Sequence, residues 1–315
     1  MSSTEHVPAP STPDSPPAAP HMTGPSAGAA DIIQASRPSA WTRLRRRPAT
    51  LISLIVILLV ALIAFGATLL NLVDPTAQNI DIPGNLSPSW QHWAGTDRFG
   101  RDLFARLLMG VRISLTIAFF AGLLDLTMGV AYGLVSGLSG RKVDGAMQRI
   151  LEILSGIPTL VVLVLMLVMF EPGLFTIVAA MAVTGWIPMA RLVRAQALRL
   201  REQEFMLAAR SLGAGRVRLA LRHIIPNSAG IIVVQTMFTI PTAIFFESFL
   251  SFIGLGLRPP IASLGTLLSD GFQNFMFFPY QMIIPAVTLS ALMIAFNLLA
   301  DGLRDVLDPK GVTIR

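Results

Sequence analysis

The chain has 315 residues, 53% of them hydrophobic and only 13% charged, with a mean hydropathy of +0.65. Soluble domains carry about 25% charged residues, so this composition excludes an ordinary soluble enzyme and points to an integral membrane protein. The lack of cysteine excludes disulfides and thiolate metal sites, and the positions of the basic residues tie the net charge of +6 to membrane topology rather than to nucleic acid.

Residues 1–40 contain eight prolines among many Ser, Ala and Gly. Such a segment has little apolar surface with which to offset ordering entropy, and is expected to be a disordered tail. Arg43, Arg45, Arg46 and Arg47 then precede the first apolar run, Leu51–Val73. A helix of that length reaches ~34 Å, enough for a hydrocarbon core of about 30 Å. It is too long for a signal peptide, and no small-x-small cleavage site follows it. A first transmembrane helix and external segment are expected over 41–112, a transmembrane core over 113–303 and a C-terminal tail over 304–315. Further spans are expected at 113–135, 147–170, 174–190, 229–256 and 280–300, the fifth, with Pro241, either kinked or partly interfacial.

Six spans with an inside N-terminus place both termini in the cytoplasm. Lys and Arg then number five through Arg47, three in 136–149, eight in 191–222 and three in 301–315 on the inner side. The outer side holds four in 74–112, and Arg258. Only Arg149, at the inner edge of the span expected at 147–170, falls within one, and the bias is that of the positive-inside rule.

The segment Leu207–Asn227, LAARSLGAGRVRLALRHIIPN, is arginine-rich and lies between apolar runs. Good helix formers flank Gly213, and Gly213 with Gly215 permits a turn between two short helices. Ala208 and Ala209 leave a small-residue surface that a partner can approach closely. Leu212, Val217, Leu219 and Leu221 offer apolar contacts, and the arginines forked hydrogen bonds. Pro226 fits a helix starting again at the membrane boundary. The competing description is a basic loop lying on anionic lipid.

Three carboxylates fall inside expected spans: Asp125, Glu152 and Glu247. Each should face protein or water. Asp125, nearest mid-span, is a pathway candidate, the alternative being a hydrogen bond to a neighbouring helix or a protonated carboxyl. Glu152, near the cytoplasmic end, suits a structural role. After the last span, Asp301 and Arg304 have the spacing of a helix-surface pair. Outside the membrane, Asp97, Arg101, Asp102 and Arg106 form a balanced charged segment, individually no more than a solvated loop with weak ion pairs. No GxxxxGK[ST] loop, HExxH or Ser-His-Asp set is evident; the chain is expected neither to hydrolyse ATP nor to bind a metal or cofactor.

The Ala208-Ala209, Gly213 and Pro226 spacing resembles the "EAA" loop of bacterial ABC-importer permeases, although Leu207 stands where that family has glutamate. Three further stretches, GTDRFGRDLFARLLMGVRISL (Gly95–Leu115), ESFLSFIGLG (Glu247–Gly256) and NLLADGLRDVLDP (Asn297–Pro309), resemble the C-type permease of dipeptide and oligopeptide importers. The resemblance covers about 40–310. It implies an all-α membrane fold of about six helices with a type I importer (MetI-like) core. It also implies a heterodimer with a homologous permease, two ATPase subunits or domains that bind the ATP and Mg, an external binding protein and a peptide substrate in the bacterial cell membrane. The coupling loop would then comprise Glu204, Ala208, Ala209, Arg210, Gly213, Arg216, Arg218 and Pro226. Glu247 would be structural or gating, and Asp97, Arg101, Asp102 and Arg106 part of a docking face for the binding protein. Nickel or another small solute is an alternative cargo. An ion-coupled secondary transporter using Asp125 or Glu247 as a proton site is a rival that leaves the Ala-Ala, Gly and Pro spacing unexplained.

Overall fold

The computed structural model describes residues 47–70, 74–78 and 83–307. The Pro-rich segment 1–40, Arg43, Arg45, Arg46, the end of the first apolar run and 308–315 lie outside them. The described chain is helical. Four helices are long and apolar enough to cross a membrane, and six crossings result if each of two bent helix pairs counts as one.

The first span is α1 (Pro48–Leu69), started by a proline in its first turn. It packs on the last helix, where a Cβ on Gly302 would fall 2.0 Å from Thr50 Oγ1. Arg47 and Asp305 form an ion pair beside this contact. The expected Asp301–Arg304 pair is absent among the described residues; Asp305 is the carboxylate that is used, because it faces α1.

Helix α2 runs from Leu103 to Leu138, 36 residues, or ~54 Å. It begins ten residues before the expected span, because Arg106, which looked like a loop charge, is buried in an ion pair. The expected third span, 147–170, is instead two helices, α3 (Arg141–Ser155) and α4 (Thr159–Met169), bent by 73°. The break falls at Gly156-Ile157-Pro158, where proline disfavours helical geometry in the residue before it. Helix α3 is amphipathic, with Leu151 buried and Glu152 exposed and paired to Arg149. Glu152 thus lies on the polar face of α3, outside the apolar helix α4.

The fourth crossing is α5 (Leu174–Thr184) followed by α6 (Ile187–Arg201), bent by 41°. Helix α7 (Glu204–Ser211) and the short α8 (Arg216–Leu219) come next. Then a π-helical turn, Ala220–Ile224, leads into α9 (Ile225–Phe252) without interruption. Pro226 lies in the first turn of α9, as expected, but the helical turns before it are continuous with α9, so that Arg216–Phe252 forms one helical stretch of 37 residues. A wide turn suits this position, since Pro226 has no N–H for the Arg222 carbonyl. Asn227 Nδ2 donates to the His223 carbonyl at 2.7 Å. A further helix, α10 (Leu264–Gln273), lies between α9 and α11 (Tyr280–Leu307). At ten residues it is too short to register as a span.

The α2–α6 seam is set by glycines. Cβ atoms on Gly129, Gly133 and Gly137 would fall 2.6 Å from Met189 Cβ, the Ala190 carbonyl oxygen and Ala197 Cβ respectively. The i, i+4, i+8 spacing puts all three on one face of α2 and lets the backbones touch, as in small-xxx-small membrane contacts. Toward the hairpin end of the seam, Arg194 of α6 donates two 2.6 Å hydrogen bonds to Asp144 of α3. Ser136 of α2 donates to the same carboxylate at 2.5 Å. Gly133→Leu should drive α2 and α6 apart and lower the thermal unfolding midpoint of the detergent-solubilised protein by several degrees. Gly66→Leu, whose Cβ meets nothing within 4 Å, should leave it unchanged.

Candidate functional site

Four clusters contain the residues singled out in the sequence. The first is the α7–α8 hairpin. Gly213 has φ +81°, the left-handed region that side chains other than glycine's resist. Ala214 N–H donates to the Ala209 carbonyl at 3.0 Å and Gly213 N–H to the Arg210 carbonyl at 2.8 Å, closing the end of α7. Met206, Leu219, Ala220 and Ile224 point inward and seat the hairpin on Met189, Val193 and Leu200. Leu212 (87% exposed), Val217 (71%) and Leu221 (62%) point outward, interleaved with exposed Arg210, Arg216, Arg218 and Arg222. Glu204, Ala208 and Pro226 are exposed as well, and Ala209 is half-buried. Leu207, in the place of the glutamate, is exposed and adds an apolar contact to this surface.

The second cluster is the charged segment before α2. Asp97 accepts from Arg101 Nε at 2.7 Å, from the Phe99 N–H at 2.9 Å and from the Arg101 N–H at 3.0 Å. Arg106 also donates to Asp97, and reaches Asp270 of α10 at 3.5 Å. Burial pushes the Asp97 carboxyl up, but the two N–H groups and the Arg101 guanidinium outweigh it and hold the carboxyl below the usual carboxylate range. Asp102 caps α2, accepting from the Ala105 N–H at 2.8 Å, and contacts His92 Nδ1 at 2.8 Å. Of the four residues named for a docking face, Asp97, Arg101 and Arg106 are buried against one another, whereas Asp102 is a helix cap turned to His92. A lone loop ion pair would be weak; this one is desolvated and multiply hydrogen-bonded. The exposed large apolar side chains of the same segment are Trp90, Trp93 and Phe99, and Arg98 is exposed beside them.

Glu247 of α9 organises the third cluster and is fully buried. Ser114 of α2 donates to it at 2.7 Å, Ser251 at 2.9 Å and Ser248 at 3.4 Å. The Leu264 N–H of α10 donates to Ser114 Oγ at 3.4 Å. Beside it, α10 crosses α9 so closely that a Cβ on Gly265 would fall 2.3 Å from the Ser248 carbonyl oxygen. The carboxylate thus ties α2, α9 and α10 together, which is a structural role. Ser114 was missed in the sequence, since nothing local marks it; Ser251, one turn after Glu247, was legible.

Asp125 of α2 forms the fourth cluster. It is buried, and its Oδ1 has no hydrogen-bond partner among the described residues. Gly185, at the α5–α6 bend, lies against it: a Cβ there would fall 2.7 Å from Oδ1. The carboxylate lines a cavity of about 230 Å³ with Thr159, Thr184, Gln235, Thr239 and Thr242. The structure thus separates the two pathway candidates: Glu247 is fully partnered and Asp125 is not.

A bundle with broken crossings, a buried carboxylate facing a polar cavity and a protruding basic hairpin defines an α-helical, multi-pass membrane permease. The chain belongs to the family described as "Binding-protein-dependent transport system inner membrane component", whose model matches residues 129–311. Residues 39–88 match the "N-terminal TM domain of oligopeptide transport permease C". The chain is 43% identical over 289 residues to the oligopeptide transport system permease protein OppC of Bacillus subtilis, covering 90% of this chain and 94% of that one. It is 42% identical to the dipeptide transport system permease protein DppC of the same organism, covering 86% and 85%. It is 40% identical to OppC of Escherichia coli K12, covering 86% and 92%. Among solved structures, an inward-facing MetNI methionine ABC transporter shares the fold, with TM-score 0.53 and 20% identity over 65% of this chain and 98% of that one.

Asp97→Ala would leave two buried guanidinium groups without their carboxylate, a loss of about 3–5 kcal/mol for a broken buried pair. Its unfolding midpoint in detergent should fall accordingly. Because the folded Asp97 titrates below the unfolded carboxyl, its stabilisation is present above the ordinary value of about 3.9. It should be lost as pH falls through the lower folded value, and Asp97→Asn should remove this acid-dependent component from the stability–pH curve.

Proposed function

We propose that this permease forms, with a related permease chain, the pathway of an ATP-driven importer for dipeptides and oligopeptides delivered by an external binding protein. The peptide assignment draws on relatives named as oligopeptide and dipeptide permeases. The single observation that carries the ATPase partnership is the hairpin. A polar segment that exposes Leu212, Val217 and Leu221 between arginines offers the apolar contacts and forked donors that a protein partner with acidic groups would cover. Two partner ATPase subunits, which bind the ATP and Mg, seat on this hairpin and on that of the second permease.

The basic residues favour a cytoplasmic hairpin with both termini on the same side. ATP binding closes the ATPases and moves the hairpin over 204–226. Because Arg216–Phe252 is one helix, this motion enters the membrane directly and opens the pathway outward to receive peptide. Hydrolysis then resets it inward, each step a shift between two populated states. Asp97, Arg101, Asp102 and Arg106 serve the external binding protein indirectly, by shaping the segment that presents Trp90, Trp93 and Phe99.

Leu212→Glu with Val217→Glu should lower binding-protein-stimulated ATPase activity of the assembled complex at least about tenfold, because charge in a desolvated hot spot is strongly unfavourable. Membrane insertion should be unchanged. Gly213→Leu should act in the same direction through backbone strain, since its Cβ would have open space around it. Undiminished stimulation in both variants would refute the docking assignment.

A further inference from the structure

The peptide reading leaves open how the pathway grips its cargo, and the cavity at Asp125 supplies a specific chemistry. Asp125 occupies the same face of α2 as Gly129, Gly133 and Gly137, one turn further toward the outer side. There the close seam opens. Gly185 has no side chain to fill the space, and the carboxylate instead faces the bend between α5 and α6. Pro188 has no N–H for the Thr184 carbonyl at this bend, so the backbone there is left with acceptor capacity.

Three of the threonines lining the cavity keep acceptor capacity toward it. Thr239 and Thr242 donate their hydroxyl hydrogens to the carbonyls of Gln235 and Phe238, at 3.3 and 2.9 Å. Thr184 donates its own to Thr159 Oγ1 at 3.3 Å. The hydrogens of Thr184, Thr239 and Thr242 are thus committed to the protein, and their oxygens keep acceptor capacity. No Lys, Arg or His forms an ion pair with Asp125 among the described residues. A buried carboxylate with an orphaned oxygen and no cationic partner calls for a donor. A volume of about 230 Å³ holds one residue of a peptide, not a whole one.

We infer that this cavity is a mid-membrane subsite for a primary ammonium group, namely the free amino terminus of the transported peptide, held by Asp125 with Thr159, Gln235, Thr239 and Thr242. The inference rests on the peptide-importer reading. An ammonium supplies three donors and one positive charge, which matches a carboxylate set among hydroxyl and carboxamide oxygens. The same chemistry would accept an inorganic monovalent cation, and the experiment separates the two.

The complete complex, co-expressed with its partner subunits and binding protein, is reconstituted in vesicles. ATP-driven uptake of a peptide with a free amino terminus is compared with that of its N-acetylated form, each at saturating binding protein. The wild type should favour the free amine by about tenfold or more, the scale of a charge-assisted contact in a desolvated site. Asp125→Asn, which preserves shape, should bring the ratio close to one by slowing the free-amine peptide. Thr239→Val with Thr242→Val, which leaves the carboxylate in place, should narrow it in the same direction.

An unchanged ratio in Asp125→Asn overturns the inference while leaving the importer reading intact. If that variant does not assemble, an unchanged ratio in the double threonine variant does the same. Uptake that depends on sodium or potassium in place of a non-coordinating organic cation would assign the cavity to an inorganic ion and overturn the ammonium subsite. A wild-type complex that imports neither peptide fails at the earlier step, the importer reading itself, and the subsite falls with it.

Discussion

Backbone contact between α2 and α6 is the constraint on which the rest of this structure depends. Lipid tails are as apolar as leucine, so helices in a membrane gain little from hiding apolar side chains from their surroundings. Close van der Waals approach must do that work, and Gly129, Gly133 and Gly137 permit it by presenting bare backbone to Met189, Ala190 and Ala197. Once α6 is held there, Arg194 reaches Asp144 and fixes α3. The inner end of α6 then provides the apolar seat, Val193 to Leu200, on which the hairpin rests. The same face of α2 brings Asp125 against Gly185, so one stripe of residues arranges both the membrane cavity and the platform beneath the hairpin.

Charge in this protein is placed by two different rules. In the hairpin the arginines remain in solvent and present donors outward. In the segment before α2, Arg101 and Arg106 are withdrawn from water and balanced by Asp97, with backbone N–H groups completing the carboxylate's hydrogen bonds. A buried pair of this kind is weak evidence for added stability, since desolvation offsets attraction. Its effect is geometric: it fixes the loop that enters α2 and joins it to α10 through Asp270.

Much of the architecture was legible in the sequence, because an apolar run long enough to cross a bilayer is rarely anything but a membrane helix. The helix ends were harder to read. The outer end of α2 was hidden by Arg106 and Arg112, whose charges suggest a loop when no partner is known. The breaks in the third and fourth crossings were signalled by Pro158 and by Gly185 with Pro188, but continuous hydropathy on either side concealed the bends. The hairpin was readable from its small residues and its glycine turn. The networks around Glu247 and Asp144 were not, because Ser114 and Arg194 lie 133 and 50 residues from the carboxylates they serve. Sequence proximity cannot reveal such pairs. The glycine stripe was present at a recognisable spacing and would have named the α2 seam, though not its partner helix.

The uninterrupted helix from Arg216 to Phe252 has a thermodynamic corollary. One end carries the solvent-facing arginines and the other the serine-bound Glu247, with no hinge of loop between them. If gripping the inner end favours one tilt of this rod, any contact outside that prefers the same tilt must strengthen the grip by an equal factor, because linkage between two binding equilibria is reciprocal. On the proposed coupling, signalling would run both ways along a single covalent axis, and neither direction would require a relay of side chains between its ends.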